Sequence, residues 1–250
     1  MRMAKQFAIA VLALTALALA VPAYSAIVLS ETFPYADGDL TTVSGGLWAA
    51  HSGGGVGPIQ VVGGKAIAAF GSEDVNRVFT STIANNARAY ACFELTVPTP
   101  ASGIVVVSGY FAHFRPAVGF AYRARLRIEP PQSGGNYSLN MNVWSNAVGV
   151  YWPTDLNFNQ TYVVAMRYDP DSSQATLWIN PLSEASPSVT HTDVVNATPE
   201  TTDAFAIRQF GQDSQQVIDN INCGTSFNDV CPNPTPTNST TWGRVKALYR

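Results

Sequence analysis

Three arginines, Arg123, Arg125 and Arg127, recur at every second position of the run Phe120-Ala121-Tyr122-Arg123-Ala124-Arg125-Leu126-Arg127-Ile128. Side chains alternate between the two faces of a strand, so an extended run with this spacing lines one face with guanidinium groups. Phe120, Tyr122, Leu126 and Ile128 then share the other face, which predicts one buried surface and one wet, basic one. Tyr110 and His113 lie on the preceding strand-like run, and Gln160 to Tyr162 come later in the chain. Guanidinium groups neutralise a carboxylate, and a His or Tyr beside them can accept a proton. The set therefore has parts for holding an acidic sugar or for cleaving one by elimination. The same arginines would serve equally well on a solvated face, paired with carboxylates across the sheet.

Neutral sugars are held by exposed aromatic rings flanked by amides and hydroxyls. Trp144, Tyr151 and Trp152, in a stretch rich in Asn and Ser, form the best such group; Trp48 and His51 form a second, and Trp178 reads as packing. Glycoside hydrolysis needs two carboxyl groups on opposite sides of the bond. Glu73 and Asp74 point to opposite faces if extended, and Glu94, Glu129, Asp155 and Asp169 stand apart, so no catalytic set is assigned. Asp37-Gly38-Asp39 and Asp169-Pro170-Asp171 place oxygen atoms in turns that suit calcium, with Asp37 and Asp39 as candidate ligands; ordinary turns look the same. His51, His113 and His191 lack zinc-site spacing, and the glycines at 53–57 lack the lysine and hydroxyl of a phosphate loop.

The elements that must position these groups are strands and turns. Tyr162 to Tyr168, the turn cluster Asp169-Pro170-Asp171-Ser172-Ser173, and Ala175 to Ile179 predict a β-hairpin. Tyr90 to Val97 and Ile104 to Val107 read as further strands, and no amphipathic helix exceeds two or three turns. The fold class is all-β. Charged residues are only 12% and the formal charge is -3, which leaves no basic footprint for nucleic acid.

At the N-terminus Arg2 and Lys5 precede an apolar stretch from Phe7 to Ala20, then Val21-Pro22 and Ala23-Tyr24-Ser25. The stretch is shorter than the roughly 20 residues that cross a bilayer. It reads as a signal peptide cleaved after Ser25, leaving an exported chain with no membrane span. Residues 26–231 are expected to form one domain, and 232–250 a Pro/Thr-rich linker and tag. In the tag Trp242, Val245, Leu248 and Tyr249 fall at helical spacing among basic residues, as in a docking turn of helix or a frayed end. Three cysteines in an oxidising compartment predict one disulfide and one thiol, and Cys92, Cys223 and Cys231 leave three pairings open.

Four stretches together resemble bacterial secreted proteins with the concanavalin A-like (laminin G-like) jelly roll. They are Glu31-Thr32-Phe33-Pro34-Tyr35 with Asp37-Gly38-Asp39-Leu40, Trp48-Ala49-Ala50-His51-Ser52-Gly53 leading to Pro58-Ile59-Gln60-Val61, Leu177-Trp178-Ile179-Asn180-Pro181, and Ile218-Asp219-Asn220-Ile221. The resemblance spans about Ser30 to Val230. It implies a two-sheet antiparallel jelly-roll sandwich in which Ile218 to Cys223 lies beside the strand through Cys92, and hence a Cys92–Cys223 disulfide. It also implies a short C-terminal sorting tag. The resulting expectation is an exported, non-catalytic recognition or adhesion domain binding a glycan or another component at the cell surface or in the matrix. The alternatives are a structural assembly protein without a small ligand, and a polysaccharide-cleaving hydrolase or lyase.

Overall fold

The computed structural model describes residues 27–69, 71–101, 106–144, 149–193, 195, 198–209 and 214–231. The expectations for the signal peptide, for the tail and for residues 104–105 lie outside these.

The described chain folds into two antiparallel sheets. One contains β1 (Ile27–Glu31), β2 (Gly38–Asp39), β4 (Gln60–Val62), β5 (Lys65–Ala68), β7 (Ala89–Thr96), β12 (Thr161–Asp169), β13 (Gln174–Ile179), β14 (Val189–Thr192) and β16 (Gln216–Gly224). Its order is β14-β13-β12-β7-β16-β5-β4-β2, with β1 also paired to β16. The second contains β3 (Trp48–Ser52), β6 (Asp74–Ile83), β8 (Gly109–Arg115), β9 (Arg123–Glu129), β10 (Ser138–Asn142), β11 (Val150–Tyr151) and β15 (Thr202–Ile207), in the order β11-β10-β9-β8-β15-β6-β3. Helix among the described residues is confined to single turns at Leu40–Val43 and Phe227–Val230. The core lies between the sheets. Phe93, Leu95, Val164 and Met166 face Phe111, Phe114, Leu126, Met141 and Phe205, all essentially buried. Each such side chain contributes about 1.5–3 kcal/mol by leaving water.

The motif Glu31 to Tyr35 has a physical explanation. Phe33 is buried with a left-handed φ of 47°, a conformation that non-glycine residues rarely adopt. The Glu31 carboxylate holds it there by accepting the Phe33 N–H at 2.7 Å, and it also accepts the Tyr35 hydroxyl and the Trp48 indole N–H, each at 2.8 Å. Arg77 completes the set. One carboxylate thus ties β1 to β3 and β6, and Trp48, fully buried and stacked on Phe33, is a core residue rather than a sugar platform.

The predicted hairpin is present, with β12 and β13 paired from Val164↔Ile179 to Asp169↔Gln174. Two further expectations are corrected, both because of bulges. The disulfide joins Cys92 to Cys231, not to Cys223. β16 does lie beside β7, but its register slips between Asp219 and Asn222 around Asn220 (φ 53°), and this reverses which side chains face in. Ile218, Ile221 and Cys223 all face the core, where Cys223 remains a free thiol. Cys92 points outward to Trp178, Phe227 and Cys231, which form a small apolar cluster on the outside of that sheet. The second correction concerns the arginine strand. Ala124 has φ 49° and the β8–β9 register shifts beside it, so Tyr122 joins the arginine face and Phe120 is exposed before the strand begins.

Candidate functional site

The outer face of the seven-stranded sheet gathers most of the groups that the sequence singled out. Register places Asn140 opposite Arg127 and Asn142 opposite Arg125, with Leu139 and Met141 turned to the core. Tyr110 lies opposite Arg127, and Tyr151 opposite Asn140. Across the next strands Ala206 stands opposite His113 and Asn76 opposite Ala206, so small side chains on β15 keep the floor low at the centre.

Arg125 is the hub. Its guanidinium lies 4.8 Å from the centre of the Tyr110 ring, 5.3 Å from Trp144 and 5.8 Å from Tyr122. Arg123 sits 4.4 Å over Trp144, and Arg208 lies 4.1 Å over Tyr110. The electron-rich faces of these rings attract cations and accommodate several guanidinium groups close together. Most of the arginines have polar partners: Arg127 pairs with Glu129 at 2.7 Å, Arg123 with Glu200 at 3.5 Å, Arg208 with Asp74 at 3.5 Å, and Arg115 donates to Asn76 at 2.7 Å. Among the described residues Arg125 has no carboxylate within ion-pair distance, and its buried Nε has no hydrogen-bond partner. Burial pulls its pKa down from the ordinary value.

His113 lies beneath this layer with no exposed surface, its ring 4.3 Å from Tyr122, 5.4 Å from Tyr110 and 6.0 Å from His51. Among the described residues neither of its nitrogens has a hydrogen-bond partner. Burial first, then the charges of His51, Arg125, Arg208 and Arg115, holds its pKa well below the usual imidazole range. His51 is lowered to about 4, chiefly by burial and then by the charges of Arg115 and Arg208, with the polar Asn76 side chain opposing. Both imidazoles are neutral at pH 7, so the positive charge of the face belongs to its arginines. Asp74 is raised to about 6 because burial outweighs the attraction of Arg208 and the Gln209 N–H.

The structure thus assembles Arg123, Arg125, Arg127, His113, Tyr110, Trp144 and Tyr151 on one face, with His51 joining them from β3. Trp152 does not join; its side chain packs partly against the core, and its backbone N–H donates to the Leu139 carbonyl. Tyr162 belongs to β12 of the other sheet, and its hydroxyl donates to the side-chain oxygen of Gln160, which directly precedes that strand. The sequence reading missed Arg115, Tyr122 and Arg208. Arg115 follows His113 by two positions and could have been found by the alternation argument, whereas Arg208 reaches the face only through the pairing of distant strands.

The turn carboxylates are otherwise engaged. Asp37 accepts the Gly63 N–H at 2.8 Å and Asp39 accepts the Gln60 side-chain amide at 2.6 Å. Calcium takes six to eight oxygen ligands, and among the described residues no group of three or more His, Cys, Asp or Glu side chains converges on a metal position.

No protein-family model matches the sequence, and no curated protein matches it. Among solved structures, the metal-free carbohydrate recognition domain of Emp46p aligns over 81% of this chain and 98% of its own, with 8% identity and a TM-score of 0.50. Lectin II from Ulex europaeus aligns over 80% of this chain and 99% of its own, with 11% identity and a TM-score of 0.49. An alginate lyase from Alteromonas sp. 272 aligns over 75% of this chain and 98% of its own, with 7% identity and a TM-score of 0.44. At these identities the likeness concerns the fold alone, and the fold is the concanavalin A-like jelly-roll sandwich.

Proposed function

We propose that this chain is an exported recognition domain that binds an acidic glycan on the outer face of its seven-stranded sheet. The observation that carries this reading is Arg125, a half-buried cation walled by Tyr110, Tyr122 and Trp144 and left without a carboxylate among the described residues. A desolvated guanidinium gains most from an anion that arrives with its own geometry, as a uronate carboxylate does. The surrounding rings offer flat surfaces for the sugar, and Arg115 and Arg123 flank the position. Export rests on the N-terminal apolar stretch, and the Cys92–Cys231 bridge fits an oxidising compartment.

Hydrolysis is disfavoured by spacing. Glu129 on β9 and Asp74 on β6 are separated by three inter-strand steps, roughly 14 Å, whereas glycosidase carboxyl pairs sit about 5–9.5 Å apart. Elimination is the second reading, since a neutral His113 lies beside two tyrosines under Arg125. His113 exposes none of its surface, however, so it touches no ligand bound above it, and recognition is the stronger reading. A panel of acidic and neutral oligosaccharides tests the proposal. Saturable binding of the acidic members without shortened products supports it. Absence of glycan binding together with self-association would replace it with the assembly role.

A further inference from the structure

The nine-stranded sheet carries a groove on its own outer surface, remote from the arginine face. It encloses about 310 Å³ and is walled by Val163, Leu182, Val230 and the Cys92–Cys231 bridge, with Glu94 at its side. Its lining is mostly apolar, and Leu182 (68% exposed) and Val163 (38%) leave hydrocarbon facing water. Phe227 and Val230 already pack on this sheet beside Trp178, so the C-terminal part of the described chain lies along the groove's edge.

We infer that the chain's own C-terminal segment, residues 232–250, occupies this groove. Three observations support that occupant over another. The segment starts at Cys231, which is itself part of the groove wall and is fixed to β7 by the disulfide. Its apolar residues Trp242, Val245, Leu248 and Tyr249 are within reach. Ten residues lie between Cys231 and Trp242, and the eleven steps extend up to about 36 Å, while the groove crosses only three neighbouring strands, spaced by about 5 Å each. The charges are complementary. The segment holds Arg244, Lys246 and Arg250 and no acidic residue, while Glu94 has no basic partner within ion-pair distance among the described residues and lies opposite Asp219 on β16. Docking covers the apolar lining and brings the basic residues to Glu94.

Limited trypsin digestion of the exported full chain reads this directly, because Arg244 and Lys246 are cleavage sites within the segment. A synthetic peptide of residues 236–250 gives the undocked rate. The docked segment should be cut at least about tenfold more slowly than the peptide, independently of protein concentration. Leu182→Asp should bring cleavage to within about twofold of the peptide rate, and Glu94→Lys should accelerate it in the same direction. Both positions lie outside the core, and an unchanged melting temperature establishes folding. Cleavage of the wild-type segment at the peptide rate would overturn the inference. So would slow cleavage indifferent to Leu182→Asp, or protection lost on dilution, which would assign the groove to another copy's tail.

Discussion

Replacing Glu31 by alanine removes a carboxylate that serves four donors at once. Two of them, the Phe33 backbone N–H and the Trp48 indole N–H, are buried with it, and Tyr35 and Arg77 reach it from the rim. Glu31 is only 1% exposed at its side chain and Arg77 20%, so water cannot readily replace the lost oxygen atoms. Breaking a buried ion pair by removing one partner costs about 3–5 kcal/mol, because the remaining charge and donors are left unpaired. In a domain of this size each kcal/mol lowers the melting temperature by about 2–4 °C, which gives a fall of roughly 6–20 °C. Glu31→Gln keeps one acceptor oxygen and should fall between. Lys65→Ala, which removes a part-exposed pair with Asp219, is the control and should cost about 1 kcal/mol. Urea unfolding of the three variants decides the matter. A Glu31→Ala loss no larger than the control's would refute the view that this carboxylate organises the opening strand.

Further outcomes follow from the bulges and the buried imidazoles. Cys92→Ser should destabilise by about 2–5 kcal/mol, since the bridge closes a loop with a sequence separation of 139. Thiol titration should find no reactive thiol in the native state and one, Cys223, once the chain is unfolded, whereas three thiols on unfolding, or one thiol already reactive in the native state, would contradict the Cys92–Cys231 bridge. For pH, His51 folded is held at about 4 against 6.5 unfolded, so the folded state binds fewer protons and stability is lost as pH falls from 6.5 toward 4. Asp74, raised from 3.8 to about 6, acts in the opposite sense, gaining its proton earlier in the folded state. His51→Asn should therefore lessen the acid loss and Asp74→Asn deepen it; urea midpoints measured across that range and unchanged by either variant would show that these groups do not govern it.

Period-two alternation was enough to read the strand class, the β12–β13 hairpin and the basic character of Arg123, Arg125 and Arg127. It failed wherever one extra residue shifted the phase. The left-handed backbone at Ala124 moved Tyr122 onto the arginine face, and the one at Asn220 turned Cys223 inward, so the strand adjacency that the family resemblance implied, though correct, led to a wrong disulfide. Neither bulge falls at a glycine, the residue that would have marked it in the sequence. The site as a whole was less legible than its parts. Tyr110, Arg125 and Arg208 converge from β8, β9 and the end of β15, and no local pattern reports a contact made by folding of distant segments.

Calorimetric titration with an oligouronate, set against a neutral oligosaccharide of equal length, asks whether Arg125 takes up the anion of an acidic sugar. Binding of the acidic ligand should be saturable and should weaken with added salt. Arg125→Ala should reduce it by about thirtyfold or more, the equivalent of at least about 2 kcal/mol for a desolvated charge pair. Equal affinity for both sugars, or acidic-sugar binding indifferent to Arg125→Ala, would contradict uptake of the anion by Arg125.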